Sequence, residues 1–376
     1  MKKFKKKQIS GKEARPILLT GGHAGSTALA TIEELKVEGY KNIHWAGPKY
    51  SKEGSKAKTF EFIVFPQKGV ICHPIRAGRF QRKLTRYSLL ALLKIPLGFW
   101  DAIKIIHRYK PRLVVSFGGF AAFPLVFVSW LYKIPVIVHE QTIAAGLANR
   151  LSIPFAKKIA IARRESRAFF PDKKTVLTGN PLRRNIRDIP QKTKLSVRPC
   201  IFVTGGSRGS TWINNAVEPL IPELVKKMKI IHQCSDVDLD KFEKIKNSLG
   251  VYKKYYQVKT FYSEDEIKKV YSCADILVGR AGANTVSEII YLCLPSILIP
   301  IPWAQQNEQE KNAKMAKSLG IAKIINQNEL GPESLKNTIN EVLDDWKKMV
   351  DVSKKFKNTD SMAHKNLVNL INDALR

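Results

Sequence analysis

The sequence predicts two doubly wound α/β domains, each a parallel sheet covered by helices. The stretch Asp275–Ala313 alternates a strand (DILVG), a glycine turn (RAGAN), a helix (TVSEIIYLCL), a strand (PSILIPI) and a helix that opens with QEKNA. Short apolar runs bounded by Gly and Pro are typical of buried parallel strands, and their alternation with helices builds such sheets. In addition, residues 17–27 (ILLTGGHAGST) and 201–211 (IFVTGGSRGST) share seven of eleven positions. This repeat predicts one strand–glycine loop–helix unit at the start of each domain.

The length of 376 residues and the hydrophobic fraction of 44% agree with two packed domains. We expect a basic disordered tail at 1–15, an N-terminal acceptor and membrane domain at 16–185 and a linker at 186–199. A nucleotide-binding domain is expected at 200–345. Closing helices at 346–376 are expected to pack back toward the N-terminal domain.

The net charge of +32 is concentrated in the first half of the chain. Residues 1–180 hold 33 Lys and Arg against 10 Asp and Glu, whereas the remainder holds 31 against 22. This asymmetry predicts an anionic partner: lipid headgroups, a pyrophosphate or a nucleic acid. The five Cys are scattered and the seven His lack ligand spacing, so we expect a reducing compartment, no disulfide framework and no protein-held metal.

Two stretches bear on a membrane. The basic N-terminus is not followed by an apolar segment, so it does not predict a signal peptide. Leu113–Tyr132 has 20 uncharged residues, which is long enough to span, but Gly118, Gly119 and Pro124 interrupt it. We therefore predict a strand, a turn and a buried helix there, in a soluble or peripheral chain.

Other elements follow from local patterns. HWAG, FEFIVF, LVVSF, VIVHEQ and KIAIA predict strands in the first domain, and IIHQCS and YQVKTF predict strands in the second. A helix is predicted from Thr27 to Glu38, ended by Gly39. Ser263 and Glu266 have the spacing of a capping box.

Residues 71–110 combine cations with a leucine and aromatic face. The candidate acceptor and membrane contacts are Arg76, Arg79, Phe80, Arg82, Lys83, Arg86, Leu89, Leu93 and Trp100. Such a combination is typical of a surface that lies on an anionic membrane. A core helix whose arginines extend to solvent is the alternative.

The carboxyl ends of parallel strands form the ligand edge of a doubly wound sheet. This places Arg280–Asn284 and Trp303–Gln309 at one rim, where helix N-terminal amides suit a phosphate. Glu288 could hold ribose hydroxyls, although Thr285 and Glu288 also have capping-box spacing, and the two roles are compatible. Gly205–Ser210 and Arg183 could neutralise a diphosphate, whereas Ser207 could equally cap a helix. Two Rossmann-like domains with a cleft between them would suit a sugar-nucleotide enzyme.

Several motifs in order resemble the MurG family, the undecaprenyldiphospho-muramoylpentapeptide N-acetylglucosaminyltransferases of peptidoglycan synthesis. They are SFGGFAAFP (116–124), HEQTIAAGLANRL (139–151), TGNPLR (178–183), TGGSRGS (204–210), RAGANTVSE (280–288) and QEKNA (309–313). The resemblance implies a GT-B fold and inverting transfer of GlcNAc from UDP-GlcNAc to lipid I, giving lipid II, without a cofactor. It also implies a peripheral location on the cytoplasmic face of the cell membrane, an anionic membrane surface as partner and no nucleic acid.

The resemblance further implies site residues. Glu288 would take the ribose, the backbone near Phe261 or Tyr262 would read the uracil, and His23 would act as the general base. The implied donor-binding residues are Gly21, Gly22, Thr142, Arg183, Ser207, Phe261, Tyr262, Ala283, Asn284, Thr285, Val286, Ser287, Glu288 and Gln309.

Two positions depart from the family pattern. The first loop reads TGGHAGST where the family has T-G-G-G-T-G-G-H-x-x-P, so either His23 replaces the family's His or Ser26 lies nearer that slot. Thr142 stands where the family has Asn after HEQ. His139 and Glu140 remain, either as functional groups or as a buried hydrogen-bonded pair.

Three rival functions remain open at this point. A UDP-GlcNAc 2-epimerase would use the same double domain, but it has no use for the basic and apolar segment. Another glycolipid transferase would differ only in its acceptor. A nucleic-acid-binding protein would agree with the charge but would leave the nucleotide motifs without a role.

Overall fold

The computed structural model describes residues 15–22, 24–50, 58–76, 95–206, 209–356 and 358–376. It divides into two compact units, one formed by Met1–Arg183 with Met362–Arg376 and the other by Arg184–Ser361. Each unit contains its own parallel sheet.

The first unit is built on a sheet whose strands, among the described residues, run in the order β3-β2-β1-β4-β5-β6-β7. These strands are β1 (Ile17–Thr20), β2 (Ile43–Gly47), β3 (Ile71–Pro74), β4 (Leu113–Ser116), β5 (Val136–Glu140), β6 (Lys158–Ile161) and β7 (Thr175–Leu177). All pairings are parallel, and β1, β2, β4 and β5 are buried along their whole length. Burial on both faces explains why these strands are continuous apolar runs.

The described helices of the first unit cover both faces of this sheet. Those before residue 184 are α1 (Gly25–Val37), α2 (Phe60–Gln67), α3 (Ile95–Tyr109), α4 (Ala122–Leu131) and α5 (Leu147–Ser152). The strand predicted at FEFIVF is wrong, because this segment forms α2. Its buried residues are Glu61, Val64 and Phe65, which is a helical spacing that a short apolar run does not distinguish from a strand.

The second unit has a sheet in the order β10-β9-β8-β11-β12-β13. Its described strands are β8 (Cys200–Thr204), β9 (Lys229–Gln233), β10 (Tyr256–Lys259), β11 (Ile276–Gly279), β12 (Ser296–Leu298) and β13 (Ala322–Ile324). Its described helices are α6 (Arg184–Arg187), α7 (Thr211–Val217), α8 (Ile221–Lys227), α9 (Leu239–Ser248), α10 (Glu264–Cys273), α11 (Ala283–Leu292), α12 (Glu308–Ser318), α13 (Pro332–Asp344) and α14 (Trp346–Ser353).

The repeat found in the sequence corresponds to equivalent places in the two sheets. β1 and β8 each pair on both sides, with the strand that follows in sequence on one side and the fourth strand of the unit on the other. In each unit the chain reverses its direction of winding at this strand, which is where ligands bind in doubly wound sheets.

The 20-residue uncharged stretch is divided as predicted. β4 ends at Ser116, Gly118 and Gly119 turn with positive φ, and α4 has only ten residues. Within the described residues, no helix is long and apolar enough to cross a membrane.

The segment 346–376, expected to pack back toward the N-terminal domain, is divided between the units. Trp346 of α14 is buried in the second unit, where its Nε1 donates to the Asp275 carbonyl at 2.8 Å. The last helix, α15 (Ala363–Leu375), belongs to the first unit, with Leu367 and Ile371 buried in that unit's core.

Candidate functional site

The glycine turn of the second unit begins where β8 ends. The Thr204 hydroxyl donates to Gln233 Oε1 at 3.0 Å and accepts from the Gly206 amide at 3.0 Å, so the turn is fixed to the end of β9. A side chain at Gly205 would collide with the Ser210 amide at 2.2 Å. Ser210 caps α7, because its Oγ accepts from the Ile213 amide. The backbone here is compact enough to approach a phosphate closely.

Arg280 connects three parts of this edge. Its guanidinium donates to the Ile299 carbonyl at 3.0 Å, to Ser210 Oγ at 2.8 Å and to Gln327 Oε1 at 2.9 Å. Only 8% of the residue is exposed, and burial lowers its pKa to about 10. Among the described residues it forms no ion pair, so it adds a positive charge that local carboxylates do not balance. The sequence predicts Arg280 at the rim but does not identify it as a site residue.

Glu288 is held by a tyrosine from the neighbouring helix. The Tyr271 hydroxyl of α10 donates to Glu288 Oε2 at 2.7 Å, and both residues are buried. The capping box expected for Thr285 and Glu288 is wrong: α11 begins at Ala283, after Gly282 in an extended conformation, and no side chain caps it. Glu288 therefore lies in the second turn of the helix, where its carboxylate has no capping role.

The loop before α12 is also at this edge. Gln309 Oε1 accepts from the Ile301 amide at 3.1 Å, which fixes the polypeptide that follows β12. Gln306 and Asn307 have φ values of 51° and 55°, a left-handed conformation that is costly outside glycine and is concentrated at functional sites. Trp303 is 65% exposed beside them.

The two residues expected near the uracil differ in environment. Phe261 is 52% exposed, whereas Tyr262 is buried and burial raises its pKa. Both follow β10 and precede the capping box of Ser263 and Glu266, in which each side chain bonds the other's backbone amide as predicted.

No metal-binding cluster of three or more His, Cys, Asp or Glu occurs among the described residues. The carboxylate of Asp238, which follows β9, is bonded to protein groups: it accepts from Asn214 Nδ2 at 2.8 Å and from Ser235 Oγ at 2.7 Å.

In the first unit, two glycine loops touch through their backbones. The Gly22 amide after β1 donates to the Gly118 carbonyl after β4 at 2.9 Å. A side chain at Gly119, whose φ is +88°, would lie 2.8 Å from the Gly22 Cα. Because the Gly22 amide is used in this contact, any contact of Gly22 with the donor would have to use its other backbone atoms. Gly21 is constrained as well, since Trp45 would lie 3.1 Å from an added Cβ.

The amino terminus of α1 receives a carboxyl group from this same unit. Glu61 of α2 accepts hydrogen bonds from the Thr59 side chain and from the amides of Ala24 and Gly25, and burial raises its pKa. In a doubly wound sheet this amino terminus is a natural phosphate position. Here Glu61 occupies it, which leaves the second unit as the better place for a diphosphate.

The HEQ segment is an internally bonded corner. Glu140 accepts from the Thr142 amide at 3.0 Å, from Asn149 Nδ2 at 2.8 Å and from the Gly146 amide at 2.9 Å. The Thr142 hydroxyl lies 2.9 Å from the same carboxylate, so it is directed into this network. Glu140 is thus buried and hydrogen-bonded within its own segment, which agrees with the second of the two interpretations given above.

Three segments of the first unit, TGGHAGST, HEQ and TGNPLR, lie next to one another around α1. Thr27 Oγ1 lies 3.1 Å from Asn180 Oδ1 and 3.2 Å from Gln141 Oε1, and His139 Nε2 lies 3.1 Å from the Gly179 carbonyl. The first loop, the HEQ segment and the TGNPLR segment therefore form one edge. Arg183, which ends this last segment, is 8% exposed.

Of the candidate acceptor and membrane contacts, two are described. Arg76 forms a two-pronged ion pair with Asp101, with Nη2 to Oδ1 at 2.6 Å and Nε to Oδ2 at 2.9 Å. Burial acts to raise the pKa of Asp101, but the hydrogen bonds from Arg76 outweigh it and lower that pKa. Trp100 is 54% exposed on α3.

Other sequence candidates lie outside the described residues. They are His23, Ser207, Arg79, Phe80, Arg82, Lys83, Arg86, Leu89 and Leu93.

Two parallel-sheet units, each with a glycine turn after the strand where winding reverses, define a two-domain GT-B fold. The family models identify the class of protein as a glycosyltransferase. Residues 17–161 match the glycosyltransferase family 28 N-terminal domain, and residues 200–368 match the family 28 C-terminal domain. A crystal structure of MurG from Acinetobacter baumannii aligns with a TM-score of 0.68 at 24% identity, over 96% of this chain and 99% of that one. The fold is not specific to transferases. A UDP-GlcNAc 2-epimerase from Neisseria meningitidis aligns with a TM-score of 0.61 at 13% identity, over 95% of this chain and 100% of that one.

The sequence relatives show to which family the chain belongs. The UDP-N-acetylglucosamine--N-acetylmuramyl-(pentapeptide) pyrophosphoryl-undecaprenol N-acetylglucosamine transferase of Lachnoclostridium phytofermentans is 32% identical over 93% of this chain and 96% of its own length. The chain therefore belongs to the MurG family of glycosyltransferases.

Proposed function

We propose that this chain transfers N-acetylglucosamine from UDP-N-acetylglucosamine to N-acetylmuramyl-(pentapeptide) pyrophosphoryl-undecaprenol, which is lipid I. The product is lipid II, the disaccharide precursor of peptidoglycan. The observation that carries the proposal is the 32% identity with a transferase of this name along nearly the whole chain. Five of the six family motifs begin at or directly after the end of a parallel strand, which is where ligands bind in doubly wound sheets, and QEKNA lies in α12.

The donor nucleotide is assigned to the second unit. Tyr271 holds Glu288 Oε2, which directs the carboxylate for bonding ribose hydroxyls. We assign the diphosphate to the amino terminus of α11, and the buried charge of Arg280 adds to the favourable field. Gln309 completes the rim, the backbone at Phe261 and Tyr262 reads the uracil, and Arg183 and Ser207 remain proposed phosphate contacts.

The reaction is an inverting displacement. The muramoyl hydroxyl attacks the anomeric carbon of the donor sugar, the bond from that carbon to the diphosphate oxygen breaks, and UDP leaves. We assign the proton acceptor to His23, which stands between Gly22 and Ala24 in the sequence. Helix N-terminal amides stabilise the charge that develops on the leaving diphosphate.

Attachment to the cytoplasmic face of the cell membrane is part of the proposal. The support is the basic first half of the chain and the exposed Trp100 in the segment that also contains the arginine cluster. Because Arg76 is paired with Asp101, we assign the attraction to anionic lipid to the other cations of that segment.

The test is a radiochemical transfer assay. Protein is incubated with UDP-[14C]GlcNAc and lipid I, and label in the butanol-extractable lipid is counted. Label in lipid supports the transferase, whereas UDP-ManNAc formed from the donor alone would favour the epimerase. The His23→Ala variant is expected to lose at least about 100-fold in kcat, the usual contribution of a general base. Near wild-type turnover in a folded variant would remove His23 from the mechanism.

A further inference from the structure

A cationic cavity of about 510 Å³ opens on the first unit, away from the proposed reaction site. We name it the basal pocket and define it by Arg15, Arg112, Tyr132, Lys133, Lys157 and Arg376, which line it together with apolar residues. All of its lining residues belong to the first unit.

Four of the cationic residues that line the pocket each precede a strand of the sheet in sequence. Arg15 precedes β1, Arg112 precedes β4, Lys133 precedes β5 and Lys157 precedes β6. The glycine loops of the first unit follow the carboxyl ends of β1 and β4. A strand of four residues spans about 13 Å, so the basal pocket lies at the opposite edge of the sheet.

The framework of this edge is fixed by backbone hydrogen bonds. The Arg112 amide donates to the Pro16 carbonyl at 2.9 Å, and the Lys157 amide donates to the Val136 carbonyl at 2.8 Å. The pocket therefore does not depend on a loose segment for its shape.

The charges of the pocket are poorly balanced. No Asp or Glu is among the described residues that line it, and only Arg376 pairs with an acid, Asp373, at 3.6 Å. Lys157 Nζ donates to the Ala374 carbonyl at 3.1 Å, and Arg15 donates to the carbonyls of Lys110 and Pro111. Within the described part of the chain, the side chains of Arg112 and Lys133 make no hydrogen bond or ion pair. Like charges around one cavity repel, and an anion would convert this repulsion into attraction.

The backbone at this edge has two unusual lysines. Lys133, after α4, has φ +57°, and Lys110, after α3, has φ +42°. Glycine is the favoured residue in this conformation, and other residues cost about 1–2 kcal/mol there. At Lys133 this conformation ends α4, because the Ile134 amide donates to the Ser129 carbonyl at 2.9 Å, and it fixes the backbone from which Lys133 lines the pocket.

We propose that the basal pocket binds a phosphate-bearing anion through Arg112 and Lys133, with Arg15 and Lys157 at its sides. Guanidinium and ammonium groups donate charge-assisted hydrogen bonds to phosphate oxygens. Free pyrophosphate and the headgroup of an anionic phospholipid share this chemistry. Trp130, Leu131 and Tyr132 are 47%, 56% and 43% exposed at the end of α4, so a headgroup would bring its acyl chains beside an apolar rim.

The experiment compares two double variants of the full chain. Arg112→Gln/Lys133→Gln removes two charges from the pocket, and Lys244→Gln/Lys253→Gln removes two exposed charges from the second unit. Binding of inorganic pyrophosphate is measured by calorimetry with UDP present at saturation, so that the nucleotide site does not contribute. Binding to phosphatidylglycerol and phosphatidylcholine vesicles is measured by co-sedimentation.

We expect the pocket variant to weaken anion binding at least about tenfold, because each charge-assisted contact contributes substantially, while the control variant changes it little. A pocket-dependent pyrophosphate signal identifies a free phosphate ligand. A pocket-dependent preference for phosphatidylglycerol without that signal identifies a headgroup.

The proposal is overturned if both variants bind both probes alike, since binding would then depend only on the total charge. Neither readout uses turnover, so this result is independent of the transferase assay.

Discussion

Tyr271→Phe tests how the carboxylate of Glu288 is held for the donor. The substitution removes the hydroxyl that donates to Glu288 Oε2 at 2.7 Å but keeps the ring, which packs edge-on against Phe202 at 5.6 Å. A hydrogen bond to a charged group contributes about 1.5–3 kcal/mol, and the remaining contacts of Glu288 retain part of its orientation. We therefore expect a loss of about 1–2 kcal/mol in UDP affinity, or about 5- to 30-fold in Kd.

The assay is calorimetric titration of UDP together with steady-state kinetics in UDP-N-acetylglucosamine. We expect KM to rise and kcat to change little, because the ribose contact is made equally in the ground and transition states. Tyr291→Phe is the matched control, since its hydroxyl donates to the Arg187 carbonyl in the same unit and does not contact Glu288.

A nucleotide without ribose hydroxyls separates positioning from a structural effect. With 2′,3′-dideoxyuridine diphosphate, Glu288 has no hydroxyl to bind, so Tyr271→Phe should cause no further loss. Equal losses for both nucleotides would refute the reasoning and assign Tyr271 a general role in packing.

Two other substitutions test the first unit. Gly119→Ala places a Cβ 2.8 Å from the Gly22 Cα, whereas Gly39→Ala, at a similar φ of +90°, meets no atom within 4 Å. Urea unfolding should show Gly119→Ala to be about 1–3 kcal/mol less stable than Gly39→Ala, and equal losses would contradict the close loop contact. Glu61→Gln tests the buried carboxyl, whose pKa is raised in the folded state. A carboxyl whose pKa is raised in the folded state stabilises the fold as the pH falls. The unfolding free energy of wild type should therefore increase relative to that of Glu61→Gln as the pH falls through the range where Glu61 protonates. A difference that does not depend on pH would contradict the raised pKa.

The sheets could be predicted because their strands are buried on both faces. Such strands read as short apolar runs ended by glycine, and the repeated loop located the central strand of each unit. FEFIVF has the same composition, but it buries Glu61, Val64 and Phe65 at helical spacing, and one turn of periodicity is too short to identify from sequence.

The side-chain hydrogen bonds at the candidate site could not be predicted from the sequence in the same way. Tyr271 and Glu288 are separated by 17 residues and come from different helices, so no local pattern joins them. Arg280 contacts Ser210 across 70 residues, and only the tertiary fold reveals that its charge is buried. The spacing of Thr285 and Glu288 suggested a cap that does not form, because the helix begins three residues earlier than that cap requires.

The most direct test is a crystal structure of the full chain with UDP-N-acetylglucosamine bound. The ribose hydroxyls should lie within hydrogen-bond distance, about 3.2 Å or less, of the Glu288 carboxylate, with the diphosphate facing the amides at the start of α11. Nucleotide bound instead at the start of α1, with Glu61 displaced, would contradict the assignment of the donor to the second unit.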